Sequence, residues 1–163
     1  MHVLIGVIVE AKDDYDAVIK ARVYADSLVR RCFDYYTDFW SGSEVAERWR
    51  QNEPALRLDT EAGQRFVEQL WEKYKTHVMR AIREIREAFE KFSDDEIFAD
   101  LRDESVEYRF IRSKMHEVGA THGYPVRIYV DNWGTVTEST TMEMVREKLF
   151  NDKYWVVPLD VHV

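Results

Sequence analysis

The chain has 163 residues, 31 acidic and 23 basic, for a net charge of −8; 45% of its residues are hydrophobic and 13% aromatic. That size and composition fit one folded domain with its own core and exclude a disordered or fibrous chain. One cysteine, Cys32, excludes an internal disulfide framework and a Cys-cluster zinc site, and the acidic balance argues against broad nucleic-acid affinity.

The first segment, MHVLIGVIVE, has the apolar look of a signal sequence, but it has no basic leader or small-residue cleavage site and stops at Glu10. It is also far short of the roughly 20 residues of a membrane helix. Its β-branched content predicts a strand buried on both faces, and the chain is expected to be cytoplasmic. Asp13, Asp14 and Asp16 then open a helix, where acids complement the positive end of the dipole. Val18, Val23, Ala25, Leu28 and Val29 are its expected core stripe, and Arg30 and Arg31 suit its end. In CFDYYTDFW, Phe33, Tyr35, Thr37 and Phe39 alternate with Asp34, Tyr36, Asp38 and Trp40, the period of a half-exposed strand. A helical turn over 44–50 and a loop through Pro54 follow.

From Thr60 to Phe92, apolar residues from Phe66 and Leu70 through Phe89 recur every three or four positions and predict one long helix. Ser93-Asp94-Asp95-Glu96 is a capping box that restarts a helix reaching Val118, with Gly119 as its stop. The two form a helical hairpin. VRIYV, residues 126–130, reads as a strand, Thr140 or Thr141 caps a short helix to Phe150, and YWVVPLDVHV closes with a strand in which Trp155, Val157, Leu159, Val161 and Val163 share a face. Pro158 cannot donate a ladder hydrogen bond, so that strand is expected at an edge or with a bulge.

With the hairpin set aside, the order is strand, helix, strand, twice over. This predicts an α+β, ferredoxin-like (split βαβ) antiparallel sheet in a single domain, 1–163, with core halves 1–42 and 119–163 and a helical-hairpin insertion at 43–118. A mixed sheet on a helical bundle is the alternative. The ferredoxin-like order pairs the first strand with the last, so His2 meets His162. It brings the segment with His116 and His122 to the same rim, along with Phe39 and Trp40. His2, His122 and His162, with Glu117 or Asp160 near them, are therefore metal-ligand or acid–base candidates. His116-Glu117 and His122 are too far apart for an HExxH zinc motif, and Gly119 breaks the helix it would need. On the sheet face away from Trp155, Tyr154 is expected to join Arg127, Tyr129 and Tyr36, a platform on which bases could stack.

Arg80, Arg83 and Arg86 each precede an acid by four residues, the pattern of a solvated helix face. Asp13 and Asp14 are explained by capping, and Cys32 by core packing. The chain has no P-loop, GxGxxG, GxSxG or EF-hand loop.

HVLIGVIVEA, FDYYTDF and the closing WVVPLDVHV resemble a group of small uncharacterised archaeal and viral proteins that begin and end in strands of this kind. The match covers the termini, about a third of the chain. The resemblance implies a prokaryotic or viral intracellular protein and lends no activity or catalytic residues. The reading favoured by the sequence is a non-enzymatic module that binds a protein partner or its own copy, with Tyr36, Trp40, Tyr129 and Tyr154 as the interaction surface and no cofactor expected. Two alternatives stay open. One is an enzyme built on the histidine rim, based on a divalent metal or on imidazole itself; the other is single-stranded nucleic-acid binding on the tyrosine face.

Overall fold

A computed structural model describes residues 1–40, 43–99, 115, 118, 126–136 and 141–163. β1 (His2–Glu10) carries seven consecutive buried residues, as expected for a strand covered on both faces. It lies antiparallel to β6 (Tyr154–His162) along its whole length, from His2 opposite His162 to Glu10 opposite Tyr154. On its other side β1 runs parallel to β4 (Ile128–Val130), which turns through Asn132, at φ 64°, into β5 (Gly134–Thr135).

β2 (Tyr35–Asp38) pairs antiparallel with the far edge of β6, next to β3 (Leu56–Arg57) on the same edge. The sheet among the described residues is therefore mixed and six-stranded, in the order β2–β6–β1–β4–β5 with β3 beside β6. The fold is α+β, with five helices described. This differs from the antiparallel ferredoxin-like expectation in two ways: β4 runs parallel to β1, and β2 sits beyond β6 and not beside β4, so β6 is interior. The reason Pro158 is tolerated there is local. Gly6, its partner, directs its N–H to Arg127 O, just before β4, so Gly6 and Pro158 form a non-hydrogen-bonded pair. The ring nitrogen of Pro158 thus faces the gap between β2, which ends opposite Leu159, and β3, which begins opposite Val156.

α1 (Asp14–Asp26) starts at Asp13, whose carboxylate accepts from Asp16 N at 2.8 Å. It covers one face of the sheet with Ala17, Val18, Ala21 and Ala25, packed on Val3, Ile5, Val7, Val9, Val157, Leu159 and Val161. Val23, expected in that stripe, points outward. The helix ends at Asp26, before Arg30 and Arg31, and Arg30 takes a left-handed conformation (φ 65°) that reverses the chain into Phe33. That reversal puts Phe33 in the α1 core, out of phase with the alternation that begins at Tyr35.

The opposite face is covered by α2 (Ser43–Trp49), α3 (Glu61–Lys91) and α5 (Met142–Leu149). Val45, Phe66, Val67, Leu70, Met142, Val145 and Leu149 pack there on Leu4, Ile8, Ile128, Val130 and Val156. A side chain at Gly6 would come within 2.8 Å of Leu70 and 2.9 Å of Val156, so the residue is small because α3 sits close. Thr60 caps α3 and Thr141 caps α5, each hydroxyl accepting from a backbone N–H at 3.2 Å. In the far half of α3 the buried row is Ala81 and Ala88, while Phe89 is exposed, which corrects the expected stripe. The Ser93–Glu96 capping box forms reciprocally and opens α4 (Asp94–Ala99). Met115, helical, packs near Ala88 and Ile97; the rest of the expected second hairpin helix lies outside the described residues.

Candidate functional site

Two places gather chemistry-bearing side chains. The first is the rim where β1 starts and β6 ends. The antiparallel register sets His2 against His162, and the next even position of β6 puts Asp160 on the same face. β2 adds Tyr35 beside His162, and α2 lays Arg48 across the top. Asp160 is 2% exposed, and a carboxylate so placed needs partners. It has them: His2 Nδ1 lies 3.2 Å from Oδ1, and Arg48 donates to Oδ2 at 2.5 Å. His162 Nδ1 lies 3.1 Å from Asp34, and its Nε2 lies 3.0 Å from the Met1 amine. The two imidazoles meet edge to face at 5.4 Å between centroids, and Tyr35 stacks flat on His162 at 4.9 Å.

A carboxylate on Nδ1 fixes the tautomer that leaves Nε2 as the basic nitrogen. For His2 that leaves a half-exposed imidazole aimed by Asp160, which Arg48 holds in turn. The sequence-predicted pair His2 and His162 is thus brought together, with Asp160 against His2 and Asp34 against His162. His116, Glu117 and His122 lie outside the described residues. Phe39 and Trp40 are not at this rim, because β2 runs parallel to β1 and presents its first residue here, not its last. Among the described residues no group of three or more His, Cys, Asp or Glu is arranged to hold a metal. Arg48 and Asp34 carried no signal in the sequence: both arrive through helix and turn placement.

The second place is the outer side of α1. Tyr15 is 61% exposed, Ile19 37% and Val23 69%, successive positions one helical turn apart. Trp40, 41% exposed, follows the end of β2 and lies 5.3 Å from the Tyr15 ring. Buried Asp38 organises this corner. Its Oδ2 accepts from Arg22 Nε at 2.6 Å, its Oδ1 accepts from Trp40 N at 2.9 Å, and the Arg22 guanidinium sits 6.0 Å over the indole. Lys12, Asp16 and Lys20 run along the other flank, with Lys20 paired to Asp16 at 3.0 Å. The hydrogen bond from Lys20 holds the Asp16 carboxyl below its ordinary pKa.

Of the four residues expected to form an interaction surface, only Trp40 is exposed. Tyr129 is 1% exposed and packs in the α1 core, where desolvation pushes its phenol far above the usual range. Tyr36 also faces α1, donating to Asp26 Oδ1 at 2.7 Å, and its phenol is raised by burial and by that bond. Tyr154 packs, half-buried, in the opposite core. The three tyrosines are therefore divided between the two faces, Tyr36 and Tyr129 on the α1 side and Tyr154 on the other, where Ile128 and Val130 join it. Trp49 and Trp71 pack against the same core. Cys32 is half-buried against the α1 core, as expected. No helix of the described residues is long and apolar enough to cross a membrane.

No curated protein and no solved structure matches the chain. A family model described as a domain of unknown function, DUF7995, matches residues 1–163. The chain, over its whole length, belongs to the DUF7995 family.

Proposed function

We propose that the protein is an interaction module that docks a protein partner on the outer face of α1. The observation that carries this is the exposure of Tyr15, Ile19, Val23 and Trp40 together on one side of the molecule. Scattered exposed apolar residues are ordinary, but aromatics and an aliphatic stripe at helical spacing, with a preset Arg22, have the make-up of an interface centre. The partner presents an apolar ridge flanked by both signs of charge, to match Lys12, Asp16, Lys20 and Arg22. From the resemblance at its termini we take the setting to be the cytoplasm of a prokaryotic or virus-infected cell. The test is affinity capture from such a cell, with the wild-type chain and Val23→Glu side by side. A stoichiometric protein held by the wild type and lost from the variant is expected; identical capture by both would remove the reading.

A second reading is favoured by one observation, the carboxylate on Nδ1 of each rim histidine. His2 and His162 would act as an acid–base pair, or, with His122, as metal ligands. Elemental analysis of the protein and of a His2→Ala, His162→Ala double variant separates the two: metal lost in the variant supports ligation. Its retention there would count against the rim as the site.

A further inference from the structure

We infer that the partner on this face is a second copy of the chain, held by antiparallel packing of α1 on α1 about a two-fold axis at Ile19; this rests on the docking reading above. The pattern along the helix is self-complementary under that operation, as an isologous interface requires. The axis sets Tyr15 against Val23 of the second copy, so the two most exposed apolar positions of the helix cover each other. It sets Lys12, just before the N-cap, against Asp26 of the second copy, and Asp16 beside its Lys20. Every one of these contacts recurs in reverse by symmetry, and the two polar pairs each join unlike charges. Parallel packing would instead place Lys12 on Lys12 and Asp26 on Asp26 and align the two helix dipoles unfavourably. The two Trp40 rings extend the apolar strip at its opposite ends, each next to Tyr15 of its own chain. One helix and one indole per copy make a small interface, so the dimer is reversible and in the micromolar range.

The experiment is sedimentation velocity on the full chain over a dilution series. The wild type is expected to pass from dimer to monomer on dilution, and Val23→Glu to stay monomeric. Lys12→Glu and Asp26→Lys, each alone, put like charges together and weaken the dimer at least tenfold. Mixed one to one they form a heterodimer in which both pairs are again unlike, and wild-type association returns. Asp26 also accepts from Tyr36. Asp16→Lys mixed with Lys20→Glu is therefore run as an independent pair that leaves that bond alone and predicts the same rescue. A wild type that is monomeric throughout, or weakening that mixing does not rescue in either pair, overturns the two-fold arrangement. If the wild type is monomeric while Val23→Glu still loses a captured protein from lysate, self-docking fails and the docking face stands. If capture is also unchanged, both fall.

Discussion

The two faces of the sheet are covered differently. The face under α2, α3 and α5 is filled by Leu58, Leu70, Phe66, Leu149 and Met142, large side chains from several elements. The face under α1 is closed by one helix through Ala17, Val18, Ala21 and Ala25. Small residues let that helix sit close to the sheet, and Tyr15, Ile19 and Val23 are left outside. The comparison separates apolar residues spent on the core from apolar residues that have no folding role, and only the second kind is free to serve binding.

The largest effect expected from this difference is at Leu70, which is 1% exposed. Leu70→Ala leaves a cavity among several helices and costs about 2–5 kcal/mol, read from the shift in urea midpoint. On the other face the opposite substitution is the damaging one. Ala21→Leu has no room between α1 and the sheet and costs about 1–3 kcal/mol. If Ala21→Leu were neutral, the close seam under α1 would be wrong.

An alkaline pH effect belongs to the α1 face. Desolvation raises the phenol of Tyr129, and desolvation with the Asp26 bond raises that of Tyr36. Both stay protonated in the folded chain while an unfolded tyrosine ionises at a pKa of about 10. Their contribution is therefore complete below that pH and is lost as pH rises above it. Urea midpoints should fall steeply above pH 10, and Tyr129→Phe should make the fall shallower. An identical fall in the variant would contradict the burial of this phenol. The smallest effect is at Val23: Val23→Glu should change stability by no more than about 0.5 kcal/mol, because nothing in the core depends on it.

The apolar runs at the two ends of the chain made the central ladder legible. β1 and β6 pair over nine positions, and the meeting of His2 with His162 followed from that pairing alone. The place of β2 was not legible, because a four-residue strand carries too little pattern to choose between two sheet edges. Nor was the two-residue β3. The face of Tyr129 was misread because β4 is covered on both sides, so alternation between apolar residues has no polar phase to mark it. Val23 was assigned to the core on hydrophobicity, where close packing had selected alanines. The capping residues Asp13, Ser93 and Thr141 were readable because a cap is a local contract between neighbours. Arg48 reached Asp160 across more than a hundred positions, and nothing local announces such a contact.

The claim that the outer face of α1 is a docking surface is tested most directly by placing a benzophenone-bearing amino acid at position 23 and irradiating intact cells. The same probe at Glu72, exposed on α3, serves as the control. A discrete adduct from position 23, absent from position 72, is the predicted result, whether the captured chain is a second copy or another protein. No adduct at position 23, or the same diffuse labelling from both positions, would contradict it.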